Sequence, residues 1–271
     1  MKFVEKLALA SRKNRSLLCV GLDTDQALLP EGIGVYEFNK AIIDATADLV
    51  CAYKPNIAFY EALGNPGLDA LKRTREYIGA EIPVIIDAKR GDIGNTVAAY
   101  ARSLFDYYNF DATTASPYLG FDSLEPFIKY QDRGVIILCR TSNPGAADLQ
   151  SLMVKDGRAH KPLYEVVAEK VNSWNINGNL GLVIGATYPE ELKRMRQRYP
   201  EMPLLIPGVG TQGGELQTTV KYGADAGRRR TIINSSRQIL YASKGKDFAA
   251  AARKVAKDLR DRINEILDGA V

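Results

Sequence analysis

Histidine is almost absent from this sequence of 271 residues, which contains a single histidine, His160. Zinc sites that use several histidine ligands are therefore excluded. A Ser-His-Asp triad is disfavoured, because its histidine would have to be His160, which lies in the polar stretch KDGRAHKP. Any proton transfer would then be performed by lysine, aspartate, glutamate or tyrosine side chains.

Cysteine is also scarce. Cys19, Cys51 and Cys139 each lie in an apolar run, their number is odd, and none of them has the CxxC spacing of a metal or redox site. We therefore expect free thiols, buried as small core residues of a protein from a reducing compartment.

Long apolar runs and a large excess of one charge are missing as well. No run approaches the roughly 18 apolar residues that a membrane helix needs, and the start, MKFVEKLALASRKNRS, is charged and amphipathic, unlike a signal peptide. The net charge is +4, and the only tight basic cluster, Arg228-Arg229-Arg230, is predicted to be a solvated loop. We expect a soluble cytoplasmic protein without membrane or nucleic-acid partners.

The sequence does contain a regular succession of short apolar, β-branched runs, which we interpret as eight strands. The predicted strands are residues 17–23, 49–55, 83–89, 112–118, 134–141, 179–186, 203–210 and 230–236. Runs that are apolar almost throughout are typical of parallel strands, since both faces of such a sheet are buried.

Segments with helical periodicity separate these strands, for example residues 94–108, 188–200 and 213–223, and a strong amphipathic helix is predicted over 248–267. Eight strand–helix units in this length predict a (β/α)8 barrel that occupies residues 1–271 as one domain. An open, doubly wound parallel sheet is the alternative. The longest non-periodic connection, residues 142–160, is a candidate active-site loop.

Polar residues gather where the predicted strands end, and that edge of a (β/α)8 barrel carries the active site. These residues are Asp23, Lys54, Asp87, Lys89, Pro117, Thr141, Ser142, Pro207, Gly208, Ser235 and Ser236. The stretch VIIDAKRGDI contains the densest group, because Asp87, Lys89 and Asp92 follow a buried strand within six positions.

Two interpretations of this group are open. Asp87 and Lys89 are two positions apart on a strand, so their side chains point to one face and could form a structural ion pair, with Asp92 as an N-cap. Lys54 at another strand end favours the second interpretation, an alternating array of lysines and carboxylates that performs chemistry.

A glycine-rich segment, PGVGTQGG at 207–214, follows the seventh predicted strand, and Arg237 follows the eighth. Free backbone N–H groups in such turns bind anions, and an arginine can bind a phosphate bidentately. These two loops commonly hold phosphate in (β/α)8 barrels. Ordinary turns beside a surface arginine are the alternative. The residues therefore predict an enzyme that acts on a phosphorylated small molecule with a Lys/Asp active centre.

With these motifs in place, the chain resembles the orotidine 5′-monophosphate decarboxylase family, in particular its longer bacterial members, over nearly its whole length. The motifs are LCVGLDTD (18–25), AYKPNIAFYEALG (52–64), IIDAKRGDIGNTVAAYA (85–101), DATTASPYLGFDSLEPF (111–127), LCRTSNPGA (138–146), PGVGTQGG (207–214) and INSSRQILYA (233–242). The resemblance implies a barrel that converts orotidine 5′-monophosphate (OMP) to uridine monophosphate (UMP) in pyrimidine biosynthesis. It also implies no metal or organic cofactor, and a homodimer with shared active sites.

The resemblance also implies roles for individual residues. Lys54, Asp87, Lys89 and Asp92 would form a charged tetrad in which Lys89 protonates C6 of the pyrimidine. Asp92, Ile93 and Thr96 would reach into the site of the neighbouring subunit. The substrate-binding residues would be Asp23 and Lys54 for the ribose hydroxyls, Ser142 for the pyrimidine ring, and Gly208, Gln212, Gly213, Ser236 and Arg237 for the phosphate. Pro207 would line the pocket.

Three other functions stay open at this point. A 3-keto-gulonate-phosphate decarboxylase would need a metal ion, and a class I aldolase would form a Schiff base on a lysine. A catalytically silent nucleotide-binding protein would bind UMP without turning anything over.

Overall fold

The computed structural model describes residues 1–157, 159–209 and 215–269. In these residues, eight parallel strands form one sheet and two further strands form an antiparallel hairpin. The strands are β1 (Leu18–Leu22), β2 (Ala52–Pro55), β3 (Ile85–Arg90), β4 (Ala112–Ala115), β5 (Gly134–Arg140), β6 (Met153–Asp156), β7 (Ala159–Pro162), β8 (Leu180–Ile184), β9 (Leu204–Ile206) and β10 (Thr231–Ser235).

The large sheet closes on itself. Its strand order is β2-β1-β10-β9-β8-β5-β4-β3, and parallel bridges between Tyr53 and Val84 and between Asn56 and Asp87 join the two outer strands. The predicted (β/α)8 TIM barrel is therefore confirmed, and the open doubly wound sheet is excluded. All eight strands were predicted at the correct places because parallel strands buried on both faces leave a strong apolar signal.

Helices surround the barrel and connect its strands. They are α1 (Phe3–Asn14), α2 (Val35–Thr46), α3 (Ile57–Glu61), α4 (Asn65–Ile78), α5 (Gly94–Arg102), α6 (Glu125–Ile128), α7 (Ala147–Gln150), α8 (Leu163–Trp174), α9 (Pro189–Arg198), α10 (Leu216–Gly223), α11 (Arg237–Leu240) and α12 (Phe248–Leu267). Short 3₁₀ turns occupy Gln26–Leu28, Phe121–Ser123 and Pro144–Ala146, and a π-helical turn, Ser103–Tyr107, continues α5.

The amphipathic pattern explains why α12 lies on the barrel. Its buried residues are Phe248, Ala252, Ala256, Leu259 and Ile263, which recur every three or four positions and so form one stripe along the helix. The predicted bounds, 248–267, match the observed helix. Among the described residues, no helix combines the length and the apolar character needed to cross a membrane.

Helix α1 closes the amino-terminal end of the barrel. Phe3 and Leu7 pack with the inward-facing strand residues, and a side chain at Gly134 would collide with the Phe3 ring at 2.3 Å. The Lys6 ammonium binds the Asp111 carboxylate at 2.6 Å, and Arg75 binds the same carboxylate at 3.3 Å. Apolar packing by Phe3 and Leu7, reinforced by the buried Lys6–Asp111 ion pair, therefore closes this end, and the cavity lies at the opposite end of the barrel.

Some predictions needed correction. The connection predicted to be non-periodic, residues 142–160, contains α7 and the hairpin strand β6, with β7 beginning at Ala159. The strand predicted over 112–118 ends at Ala115, two residues before Pro117, and the helix predicted from residue 213 begins at Leu216 within the described range.

The predictions of free, buried cysteines and of a loop at Arg228-Arg229-Arg230 agree with the structure, although Arg230 is half-buried and pairs with Glu201. All three cysteines are free and buried, and burial raises the pKa of Cys19 and Cys139 to about 12, which favours the protonated thiol at neutral pH. Arg228 and Arg229 are exposed, although Arg228 also binds Asp268 at the end of α12 at 2.6 Å.

Candidate active site

A cavity of about 470 Å³ opens at the carboxyl ends of the barrel strands. Most of the residues predicted from the strand ends line this one cavity, although they come from six different strands or the loops that follow them. These residues are Asp23, Lys54, Asp87, Lys89, Thr141, Ser142, Pro207, Gly208, Ser235 and Ser236, together with Arg237, whereas the predicted Pro117 does not line it. The size is suitable for a ligand such as a mononucleotide.

Four charged side chains on the β1–β3 side of the cavity form a continuous array. The Asp87 carboxylate lies at its centre, with one oxygen 2.6 Å from Lys89 Nζ and the other 3.1 Å from Lys54 Nζ. Lys54 Nζ also lies 3.7 Å from the Asp23 carboxylate. Thr114 Oγ1 donates a hydrogen bond of 2.8 Å to Asp87. Lysines and carboxylates therefore alternate along the array, and each charge lies next to an opposite charge.

Opposite charges dominate the electrostatics of this array. Burial alone would lower the pKa of Lys54, which is only 4% exposed, but the carboxylates of Asp23 and Asp87 outweigh burial and raise its pKa. Burial alone would raise the pKa of Asp87, but the charges of Lys54 and Lys89 and the hydrogen bonds from Lys89 and Thr114 hold its pKa well below the usual range. Lys54 and Asp87 are therefore both ionised at neutral pH.

The backbone of Lys89 adopts an unusual conformation. Its φ is 48°, in the left-handed region that residues with a side chain seldom occupy, and the pairing of β3 with β4 shifts register between Ile86 and Arg90. The simple alternation predicted for Asp87 and Lys89 is therefore interrupted, yet the two side chains still meet. The Lys89 N–H donates to Thr114 Oγ1 at 3.0 Å, which stabilises the strained turn.

The side of the cavity formed by β5, β8 and β9 carries no formal charge among the described residues that line it. Leu138, Val183 and Leu205 form an apolar floor on β5, β8 and β9. Thr141, Ser142 and Asn143, which follow β5, line the wall above this floor with hydroxyl and amide groups. The cavity thus combines a charged half with a neutral half suited to a flat, partly apolar ring.

Two glycines allow predicted site residues to lie close to neighbouring strands. A Cβ at Gly185 would lie 2.8 Å from the backbone N and Cα of Ser142, and a Cβ at Gly21 would lie 1.9 Å from Ser236 Oγ. Any side chain at either position would displace the loop that follows β5 or β10, so both glycines are required for the shape of the cavity.

Arg237 lies at the rim of the cavity beyond Ser236, which is the N-cap residue of α11. Its guanidinium is exposed, and no carboxylate in the described part of the chain forms an ion pair with it. Gly208, with φ 97°, turns the chain after β9 beside it. Gln212 and Gly213, which the sequence also predicts at this end, lie outside the described residues.

Asp92, Ile93 and Thr96 do not line the cavity of their own chain. Ile93 is 59% exposed and Thr96 is exposed, whereas Asp92 is half-buried. Asp92 is not the N-cap of α5, because Ile93 occupies that position and the Asp92 side chain accepts a hydrogen bond of 2.8 Å from the Ile93 N–H. The interpretation of Asp92 as an N-cap is therefore wrong.

Sequence reasoning did not single out several residues of the cavity, namely Asn56, Thr114, Asn143, Gln150 and Asn234. Thr114 and Asn234 could have been found, since each lies two positions after an inward-facing residue, Ala112 or Ile232, and inward positions alternate along a strand. Gln150 gave no such signal, because it reaches the cavity from the short helix α7.

Replacing Asp87 with asparagine should destabilise the fold at neutral pH. The same substitution should destabilise it less at acidic pH. The folded-state pKa of Asp87 lies below its unfolded value of about 3.9, so the carboxylate contributes stability that is present above this value and is lost as the pH falls. Breaking a buried pair costs roughly 3–5 kcal/mol. Because Lys54 keeps its ion pair with Asp23, we expect Asp87→Asn to lower the free energy of unfolding by about 3 kcal/mol at pH 7.

Urea unfolding at pH 7 and at pH 3 measures this difference, with Asp122→Asn, a substitution of an exposed carboxylate, as the matched control. A destabilisation that is equal at both pH values would contradict the charge-based explanation and would indicate a packing effect.

Within the residues that the structure covers, no group of three or more histidine, cysteine, aspartate or glutamate side chains is arranged to hold a metal ion.

Comparison with known proteins gives a consistent result. The family model described as "Orotidine 5'-phosphate decarboxylase / HUMPS family" matches residues 16–255. An orotidine 5′-phosphate decarboxylase of Dehalococcoides mccartyi (strain CBDB1) is 54% identical over 264 residues, which cover 97% of this chain and 98% of the relative. One from Cupriavidus necator is 53% identical over 278 residues, covering 99% and 100%. The structure of Leishmania donovani OMP decarboxylase superposes with a TM-score of 0.85 at 43% identity, covering 98% and 99%.

Proposed function

The chain belongs to the orotidine 5′-phosphate decarboxylase / HUMPS family, and we propose that its cavity decarboxylates OMP to UMP without a metal or organic cofactor. The whole chain would act as one barrel domain. The observation that carries the proposal is the array of Lys54, Asp87 and Lys89 in a cavity that also contains Arg237, which forms no ion pair within the described residues. Cations are therefore available both for the carboxylate on the pyrimidine ring and for the phosphate of the nucleotide.

The chemistry requires a cation beside the reacting carbon. Loss of carbon dioxide leaves an electron pair on C6 of the pyrimidine, and no adjacent carbonyl group can delocalise it. The site must therefore stabilise the carbanion with a preorganised charge. Lys89 would supply that charge, and its ammonium would then transfer a proton to C6. Asp87, 2.6 Å from Lys89 Nζ, holds the ammonium in position.

Other parts of the cavity would bind the rest of the nucleotide. Asp23 and Lys54 would hold the ribose hydroxyls, Ser142 and Pro207 would contact the ring, and Arg237 would bind the phosphate. Backbone groups of Gly208 and Ser236, and the predicted contribution of Gln212 and Gly213, would complete the phosphate site. Binding energy from a phosphate remote from C6 can hold the ring against Lys89 through the reaction.

The proposed active site also requires a second copy of the chain. Asp92, Ile93 and Thr96 follow Lys89 in the chain but do not line its cavity. Ile93 exposes 59% of its area and Thr96 is exposed, whereas Asp92 is half-buried. We propose a homodimer in which these residues enter the cavity of the partner. Asp92 would there become the fourth member of the charged tetrad and the second carboxylate beside Lys89.

Replacing Arg237 with alanine should raise KM strongly and lower kcat/KM, by roughly 10²–10³-fold, because a charge-assisted phosphate contact is lost. Steady-state kinetics with OMP measure both constants. Arg229→Ala, a substitution of an exposed arginine that does not line the cavity, is the control. A fall in kcat alone, with KM unchanged, would show that Arg237 does not anchor the phosphate.

The direct test of the proposed function is the loss of OMP absorbance on addition of purified, chelator-treated protein. Conversion to UMP at an undiminished rate would support it. A rate that requires added metal would favour a metal-dependent decarboxylase. Irreversible inactivation by borohydride in the presence of substrate would favour Schiff-base chemistry. Binding of UMP without any turnover of OMP would identify a silent nucleotide-binding protein.

A further inference from the structure

Gln150 makes an unusual pair of contacts at the mouth of the barrel. Its side-chain oxygen accepts a hydrogen bond of 2.9 Å from the Thr141 N–H, and its side-chain nitrogen donates one of 2.9 Å to Thr141 Oγ1. Both the oxygen and the nitrogen of the Gln150 amide therefore bond to Thr141, nine positions earlier in the chain. We call this pair of bonds the Gln150 clamp.

The Gln150 clamp holds the neutral wall of the cavity. Thr141, Ser142, Asn143 and Gln150 all line it. The hydroxyl of Thr141, which accepts from Gln150, donates onward to Asn143 Oδ1 at 2.7 Å. On the other side, Thr187 Oγ1 donates to the Ser142 carbonyl oxygen at 3.4 Å. A chain of hydrogen bonds thus runs from Gln150 along the segment that follows β5.

The clamp also connects this wall to the β6–β7 hairpin. Gln150 is the last residue of α7, and the Leu163 N–H, just after β7, bonds to the Leu152 carbonyl oxygen at 2.9 Å. Residues 141–163 are therefore tied at two points, by the Gln150 clamp near the cavity and by this backbone bond at the base of the hairpin. If the clamp is lost, residues 142–149 remain attached to the chain at both ends. They lose the side-chain contact that sets their distance from the cavity.

Charge distribution indicates which part of a nucleotide this wall contacts. Under the proposed function, the phosphate would meet Arg237, and the ribose hydroxyls would meet Asp23 and Lys54 of the charged array. The wall at 141–143 carries only neutral donors and acceptors above the apolar floor of Leu138 and Val183. A uracil ring has the matching character, with two apolar faces and an edge of neutral carbonyl and N–H groups.

We propose that Gln150 is a positioning residue for recognition of the pyrimidine base. It acts through Thr141 and the adjacent Ser142–Asn143 segment, without contributing to the phosphate or ribose contacts. This inference rests on the proposed function, since it takes the ligand to be a pyrimidine nucleotide. It extends that function by assigning base recognition to a residue that reaches the cavity from outside the barrel strands.

The test compares two competitive inhibitors, UMP, which has the base, and ribose 5-phosphate, which lacks it. Gln150→Met keeps the length of the side chain but removes both hydrogen bonds. We expect the inhibition constant for UMP to rise about tenfold, and that for ribose 5-phosphate to change less than about twofold. Gln197→Met, a substitution of an exposed glutamine on α9, should change neither.

Equal changes for both inhibitors, or no change for either, would overturn the proposal. Gln150→Glu provides a second variant. Its carboxylate can accept hydrogen bonds from both the N–H and the hydroxyl of Thr141. The inhibition constant for UMP divided by that for ribose 5-phosphate should therefore lie between the values for the wild type and for Gln150→Met. A ratio as high as that of Gln150→Met would contradict the hydrogen-bond mechanism.

Failure of this inference is distinguishable from failure of the proposed function. The wild-type protein is assayed first for turnover of OMP and for inhibition by UMP. If the wild type fails both assays, the proposed function is wrong. If the wild type passes and the Gln150 variants show no base-specific loss, only the role of Gln150 is wrong.

Discussion

Replacing Lys89 with alanine should abolish turnover of OMP while the fold survives. Under the proposed mechanism, the substitution removes both the cation that would stabilise the C6 carbanion and the proton that would replace carbon dioxide. A preorganised charge and a general acid each typically contribute at least about 10²-fold, so we expect kcat to fall by roughly 10⁴-fold or more. The side chain of Lys89 is 49% exposed, so its loss leaves no cavity in the core.

Stopped assays for UMP, run at high enzyme concentration, measure the residual rate, and thermal unfolding measures the fold. Lys170→Ala, which removes an exposed lysine of α8, is the matched control and should be fully active. Activity of Lys89→Ala within tenfold of the wild type would refute the proton-donor role. UMP binding should persist in the variant, because the residues proposed to bind the phosphate and the neutral wall of the cavity are unchanged.

Mixing two inactive variants, Lys89→Ala and Asp92→Ala, should restore activity. In a dimer with two-fold symmetry whose sites each use Lys89 from one subunit and Asp92 from the other, a mixed dimer has one site with both substitutions and one intact site. With random pairing at equal concentrations, half of the dimers are mixed, so we expect about a quarter of wild-type activity. Each variant alone should remain close to inactive.

The matched control mixes Lys89→Ala with Asp87→Asn. Lys89 and Asp87 bind each other within one chain, at 2.6 Å, so both belong to the same cavity and a mixed dimer has no intact site. We expect no recovery from this mixture. Recovery from both mixtures would indicate exchange artefacts, and recovery from neither would mean that Asp92 does not act in the partner's cavity.

Much of the barrel and its charged site could be predicted from the sequence, for a physical reason. Buried parallel strands require apolar residues on both faces, so a run such as PVIIDAK stands out from its surroundings, and a charge at its end requires an explanation. Asp23, Lys54, Asp87 and Lys89 were each identified because they follow such a run, and the structure brings all four together at one end of the barrel.

The features that were not predicted depend on tertiary contacts. The left-handed backbone of Lys89 is stabilised by Thr114, a residue on the next strand that is 25 positions away. Gln150 reaches the cavity only because a short helix folds back onto Thr141, and the hairpin formed by β6 and β7 is polar enough to resemble a loop. Such arrangements leave no periodic pattern in the sequence.

The position of Asp92 illustrates a different limit. From the sequence, an aspartate near the start of a helix is equally compatible with an N-cap and with a site residue. Only the structure shows that Ile93 is the N-cap and that Asp92 lies outside the cavity of its own chain. An interaction that requires a second chain depends on the geometry of two surfaces, which a sequence motif by itself does not specify.

A crystal structure of the protein with bound UMP tests the central claim most directly, namely that the Lys89 ammonium is held by carboxylates beside the reacting carbon. We predict Lys89 Nζ at about 3–3.5 Å from C6, which is the separation of groups poised to react, with Asp87 on one side of it and Asp92 of the partner subunit on the other. A structure in which the Lys89 amine turns away from the pyrimidine, or in which neither carboxylate contacts it, would contradict the account.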